Sequence, residues 1–251
     1  MALRNYTILL ISLVLISSGC SSVQHISKTD VRYELLNSNA VTAPDEEITA
    51  LIAPYKEEVD KEMNEVLGNV PVDLTKRKPE STLGNWYSDA MLDIAAKKGY
   101  SADFSISNYG GLRIPQVTAG PLTMGELFEL CPFDNLLVIV EMKGDIVDSL
   151  LQQTAETEGW PVSKGIKMVI KDKKMVQCTI QGVPLSYTAT YKVAMPDYVA
   201  NGGDGLKVLI TQKRVQTALL VRDMLIEYAR DATANGKEIT SSIDGRIVVQ
   251  Q

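Results

Sequence analysis

Three short stretches of this chain carry the residue types that bind planar, hydroxylated or anionic ligands. Asn108-Tyr109-Gly110-Gly111-Leu112-Arg113 places an arginine just past two glycines. Glycine lets a backbone approach a ligand closely or take a positive φ, and a guanidinium forks onto a phosphate or carboxylate. A plain tight turn with a solvated arginine fits these residues as well. Cys131-Pro132-Phe133-Asp134-Asn135 sets a ring between a proline and two polar turn residues; taken alone, such a ring reads more readily as a core plug than as a ligand platform. The stretch from Pro196 to Gly205, PDYVANGGDG, holds three glycines and three Asx side chains in ten residues, which is costly to order. Tyr198 could stack on a planar ring, and Asp204 could accept from two vicinal hydroxyls. For this stretch a structural turn and a binding loop stand equally open. A Ca²⁺ loop would need more oxygens at alternate positions and a distal Glu.

Other chemistries are excluded. His25 is the one histidine in 251 residues and lies in a polar stretch near the N-terminus. That leaves neither a His-rich dinuclear metal site nor a Ser–His–Asp triad, so no metal site and no catalytic residue is expected in this chain. There is no Walker loop and no GxGxxG. With net charge −6 and no Lys/Arg cluster long enough to read as a nucleic-acid footprint, a nucleic-acid partner is set aside. Cys131 and Cys178 sit in apolar surroundings and read as buried free thiols, a disulfide being the minority reading.

The elements that must position these loops alternate between helix and strand, with several strands adjacent, which argues for mixed α/β architecture with mixed sheets. Ala43-Pro44-Asp45-Glu46-Glu47 opens a helix expected to run to about Leu67, with Pro54 as a kink and Gly68 as its end. Helical spacing returns from Leu83 to Ala95, and Thr123-x-x-Glu126 is a capping box. Strands are expected at 103–107, 136–142, 166–170, 174–180 and 190–195, and at Ile247-Val248-Val249. Helices are expected at 144–153 and 212–232, and alternation at 31–41 suggests a short strand.

The N-terminus reads as a targeting segment. Arg4 precedes the apolar run TILLISLVLI, which is too short to span a bilayer but suits a signal peptide. Ser17-Ser18-Gly19-Cys20 resembles a lipobox in which Cys20 is lipidated, although the usual Leu three positions before the Cys is missing. The expected division is a signal peptide at 1–20, a tether and short strand at 21–44, and a folded domain at 45–251.

In order along the chain, Glu80…Gly84-Asn85…Asp89-Ala90-Met91, NYGGLR at 108–113, CPFDN at 131–135, PDYVANGGDG at 196–205 and Asp244-Gly245-Arg246-Ile247 resemble the motifs of the 5′-nucleotidase C-terminal domain. The resemblance covers about residues 45–250. It implies a layered α-β-β-α sandwich and a nucleotide site. The base would lie between Phe133 and Tyr198, a position where the family normally has Phe. Asn108 would touch the base, Asp204 would hold the ribose hydroxyls, and Arg113 and Arg77 would reach toward ribose and phosphate. Tyr109 departs from a family Gly and Cys131 from a Leu.

Full-length members of the family carry a metallophosphatase domain that holds two metals, and its signatures are missing from this sequence. The expectation is therefore the nucleotide-recognising half of a split 5′-nucleotidase. A separately encoded metallophosphatase would hold the divalent metal pair, and the helix at 45–67, similar to the family's interdomain connector, would serve as a docking element. The alternative is a non-catalytic nucleotide- or nucleoside-binding lipoprotein; loss of ligand binding is the least favoured reading. Export is expected, with Cys20 anchored at the periplasmic face of a Gram-negative outer membrane.

Overall fold

The computed structural model describes residues 28–33 and 44–250. Cys20 and most of the strand expected at 31–41 lie outside these residues, and the described part, Val31 to Tyr33, forms no strand. The chain divides into two units, 1–51 and 52–251. Helix α1 (Glu46–Met63) runs through that boundary. The Asp45 carboxylate accepts from the Ile48 amide at 3.0 Å and opens the helix as an N-cap. None of its residues is buried.

The second unit continues with β1 (Val66–Val70), β2 (Leu74–Thr75), α2 (Thr82–Lys97), β3 (Phe104–Ser105), β4 (Gln116–Val117), β5 (Gly120–Thr123), α3 (Met124–Leu130), β6 (Leu136–Lys143) and α4 (Gly144–Glu156). Then follow β7 (Ile166–Lys171), β8 (Lys174–Ile180), β9 (Val183–Pro184), β10 (Thr190–Pro196), α5 (Asp197–Ala200), β11 (Lys213–Leu220), α6 (Val221–Ala234) and β12 (Ile247–Gln250). One four-stranded sheet has the order β11-β6-β10-β3 and another the order β12-β7-β8-β9. Each mixes parallel and antiparallel pairs: β10 runs parallel to β3 and antiparallel to β6.

Strand β6 shows why the sheets are covered. Its side chains alternate with period two. Leu137 and Ile139 join a core with α2, α3 and α6, through Tyr87, Met91, Leu127 and Leu225. Val138, Val140 and Met142 join a second core with Met168 and Ile180 of the other sheet and Leu150 of α4. Both faces are buried, so the strand reads as an unbroken apolar run. The result is the mixed, layered sandwich expected from the sequence.

Two boundaries differ from expectation. Helix α1 stops at Met63, short of Leu67, because Val66–Val70 pairs with β5 as an antiparallel strand. Val66 happens to continue the helical apolar spacing, which hides the break. Gly68 is not a helix stop: a Cβ there would lie 2.3 Å from Thr233 Oγ1 on α6, so it lets strand and helix approach closely. Nor does helix occupy all of 212–232, since Lys213–Leu220 is β11, paired with β6. A bulge between Gln216 and Leu220 turns the strand into α6; Ala218 takes φ +58 there and Thr217 Oγ1 donates to Leu137 O at 2.7 Å.

Candidate nucleotide cleft

The strand directions explain how distant loops meet. β3 and β10 are parallel and end at the same edge of their sheet, where antiparallel β6 begins. The turn after β3 holds Asn108 to Arg113, the turn into β6 holds Phe133, and short helix α5 after β10 holds Tyr198. Asn108, Gly110, Gly111, Arg113, Phe133, Asn135, Tyr198 and Asp204 line one cleft of about 300 Å³, at the small end of the roughly 300–1,000 Å³ typical of ligand pockets.

Phe133 and Tyr198 keep 47% and 45% of their surface exposed. Neither ring is a core plug, which overturns the reading of Phe133 taken from its immediate neighbours alone. The Arg113 guanidinium stands 5.5 Å over the Phe133 ring, within cation–π range. Arg113 Nη1 also donates to Gly110 O at 3.2 Å, so the arginine closes over its own loop.

Asp204 is the hinge of the site. It holds a left-handed φ of +52, a strained conformation that Asp tolerates better than most residues. Its Oδ2 accepts from Asn108 Nδ2 at 2.8 Å and its Oδ1 from the Tyr198 hydroxyl at 3.4 Å. Gln153 Nε2 donates to the Asp204 carbonyl at 2.6 Å. Because a carboxylate only accepts, the Asn108 amide must turn its NH₂ toward Asp204. That leaves Asn108 Oδ1 buried and without a hydrogen-bond partner, in a residue only 6% exposed. Such an orphaned acceptor costs about 1–3 kcal/mol. Gly203 lets the Tyr198 ring lie against the backbone, since a Cβ there would sit 2.4 Å from Tyr198 Cε1.

Arg77 is the expected residue that the fold does not bring to this cleft. It is exposed and does not line it. Its neighbours turn toward Tyr109 instead: the ammonium groups of Lys76 and Lys78 lie 4.1 and 4.8 Å from that ring's centroid. Lys78 and Tyr109 line an adjoining cleft that shares Gly110 and Asp204 with the first. Burial, then the charges of Arg113 and Lys78, lower the pKa of Lys76. Tyr109, in place of the family glycine, thus carries two lysines at the rim of the site.

Sequence reading missed the arginines that hold the loops. Arg214 donates to Asn201 Oδ1, Leu209 O and Ile210 O and ties down the glycine-rich loop. Arg222 grips the loop that carries Phe133. Arg222 acts across sequence-distant contacts that no local pattern marks, whereas Arg214 reaches carbonyls only four and five residues away. The outer motifs turn out to be internal struts. Glu80 accepts from Asn85 Nδ2 and from the amides of Asp244 and Gly245, and Arg246 forks onto Asp89 at 2.7 and 2.8 Å. Cys131 and Cys178 are free and buried, as expected. Burial pushes the Cys178 thiol up to about 12. Among the described residues no group of three or more His, Cys, Asp or Glu side chains could hold a metal ion.

Comparison with known proteins agrees with this architecture. The profile of the family described as 5′-nucleotidase, C-terminal domain, matches residues 65–211. The chain is 31% identical to the cell wall protein Lmo0130 of Listeria monocytogenes, over 84% of this chain and 30% of that protein. It is 28% identical to the protein UshA of Yersinia enterocolitica, over 90% of this chain and 41% of that one. A crystal structure of a 5′-nucleotidase precursor from Thermus thermophilus superposes with a TM-score of 0.71 at 27% identity, covering 83% of this chain and 44% of the other. The chain thus spans less than half the length of these relatives. It belongs to the 5′-nucleotidase C-terminal domain family.

Proposed function

We propose that this chain is the nucleotide-recognising half of a split 5′-nucleotidase, working with a metallophosphatase carried on a separate polypeptide. The observation that carries the reading is the convergence of Asn108, Arg113, Phe133, Tyr198 and Asp204, from three distant loops, on one cleft. In this reading the base lies between the rings of Phe133 and Tyr198, each stack contributing about 1–3 kcal/mol with little regard to base identity. Asn108, which lines the cleft with its amide held by Asp204, touches the base edge. Asp204 accepts from the ribose hydroxyls, and Arg113 swings off Phe133 to meet the phosphate side. The chain's task is to bind and orient, so that the phosphate ester is presented to the partner.

The described residues do not supply a ligand set for a metal pair, so the metal chemistry of phosphate-ester hydrolysis belongs, in this proposal, to the partner. Helix α1, with Ile52, Tyr55 and Val59 exposed, is the proposed docking element. Export and acylation at Cys20 complete the proposal. Labelling with a fatty-acid analogue is expected to mark the wild-type protein and to leave Cys20→Ala unmarked.

The test is an AMP hydrolysis assay with Mn²⁺ on the purified chain alone, on the partner phosphatase alone, and on both together. The proposal expects turnover in the mixture well above the sum of the parts. A mixture as inert as its components contradicts it. Calorimetry showing nucleoside binding without turnover would point instead to a non-catalytic nucleotide receptor.

A further inference from the structure

Arg222 occupies a place that two electrostatic rules disfavour. It lies in the first turn of α6, at the positive end of the helix dipole, and it is only 8% exposed. Burying a cation there is expensive unless its hydrogen bonds are well spent. They are spent on the loop around Phe133. Nη1 donates to Cys131 O and Pro132 O, each at 3.3 Å, and Nη2 pairs with Asp134 Oδ1 at 2.7 Å. The guanidinium carbon stands 4.2 Å over the Phe128 ring in the helix that leads into the loop. One residue earlier, the Val221 amide donates to Asn135 O at 2.9 Å. The start of α6 therefore holds the backbone on both sides of Phe133, while Phe133 itself is left half exposed. Arg222 Nε is buried with no hydrogen-bond partner, a further cost that packing alone would not require.

We propose that Arg222, with Asp134 as its surface partner, is a positioning residue that pre-organises the Phe133 ring as one wall of the nucleoside slot. It does so without touching the ligand. The inference rests on the reading of the cleft as a nucleoside site. A loop left free must be ordered when the ligand binds, and ordering one rotamer-rich segment weakens affinity roughly three- to tenfold.

Asp134 is the safer handle, because its side chain is 76% exposed and its removal leaves the core intact. Calorimetry with adenosine on wild type, Asp134→Ala, Phe133→Ala and the double variant closes a mutant cycle, with thermal midpoints measured alongside. The proposal expects Asp134→Ala to weaken adenosine binding roughly three- to tenfold and to have no further effect once Phe133 is gone, since the clamp works only through that ring. Unchanged affinity in Asp134→Ala overturns it. So does an equal loss in both backgrounds, which would mark a general structural effect. Failure of the wild type to bind adenosine sinks the cleft reading itself and this inference with it; wild-type binding with an indifferent Asp134→Ala sinks the inference alone.

Discussion

Two polar constellations in this fold are built from the same residue types and are finished differently. At the first, Arg246 is 4% exposed and its donors are all used, on Asp89, Asp244 and Val162 O. Burial works to lower its pKa, but the bonds to Asp89 and Asp244 prevail and raise it. Glu80 and Asn85 close the network by fastening the segment after α6 to the start of α2. At the second, Asp204 is satisfied by Asn108 and Tyr198, yet Asn108 Oδ1 has no partner and two rings stand half exposed. A closed network specifies structure; in the proposed reading, the half-exposed rings at the second are where a ligand stacks.

The contrast can be broken most severely at Arg246. Arg246→Met leaves Asp89 half-buried without its partner and is expected to lower stability by about 3–5 kcal/mol, read by urea unfolding. A loss under about 1 kcal/mol would mean that the network is not the strut described.

The next effect belongs to the open site. Asp204→Asn suits the left-handed backbone but removes the charge, and hydrogen bonds to charged groups contribute about 1.5–3 kcal/mol. Wild-type protein should prefer adenosine over 2′,3′-dideoxyadenosine, and the variant should lose most of that preference while its unfolding midpoint barely moves. Equal discrimination in both proteins would take Asp204 out of the ribose contact.

Smaller still is Gly203→Ala. Its new methyl would meet both the Tyr198 ring and the Tyr198 carbonyl oxygen, shifting ring and loop together, so adenosine affinity is expected to fall roughly tenfold, in keeping with about 1–3 kcal/mol for an overpacked contact. Unchanged affinity would indicate that the ring's position does not matter.

Much of the site was legible in the sequence because local chemistry advertises it. Clustered glycine, Asx and aromatic residues after strands mark loops that bind, and five of six expected binding residues meet in one cleft. Arg77 was not separable from Lys76 and Lys78 by type, and only the path of the chain sets Lys76 and Lys78 over Tyr109 and leaves Arg77 outside the cleft. Phe133, judged by its neighbours, suggested a core residue, because exposure depends on elements distant in sequence. The same reason hid Arg222. The fold was legible in its long, strongly patterned elements such as β6. It was misread where apolar spacing ran across a boundary, as at Val66, or where a bulged edge strand runs straight into a helix, as at Lys213–Leu220.

The most direct measurement is a calorimetric titration of adenosine into the wild-type protein and into a Phe133→Ala, Tyr198→Ala double variant. Both rings are half exposed, so the double variant should fold with stability within about 1 kcal/mol of wild type. The account predicts saturable one-to-one binding by the wild type, weakened at least about thirtyfold when both stacks are lost. Equal binding by the two proteins, or no binding by the wild type, would contradict it.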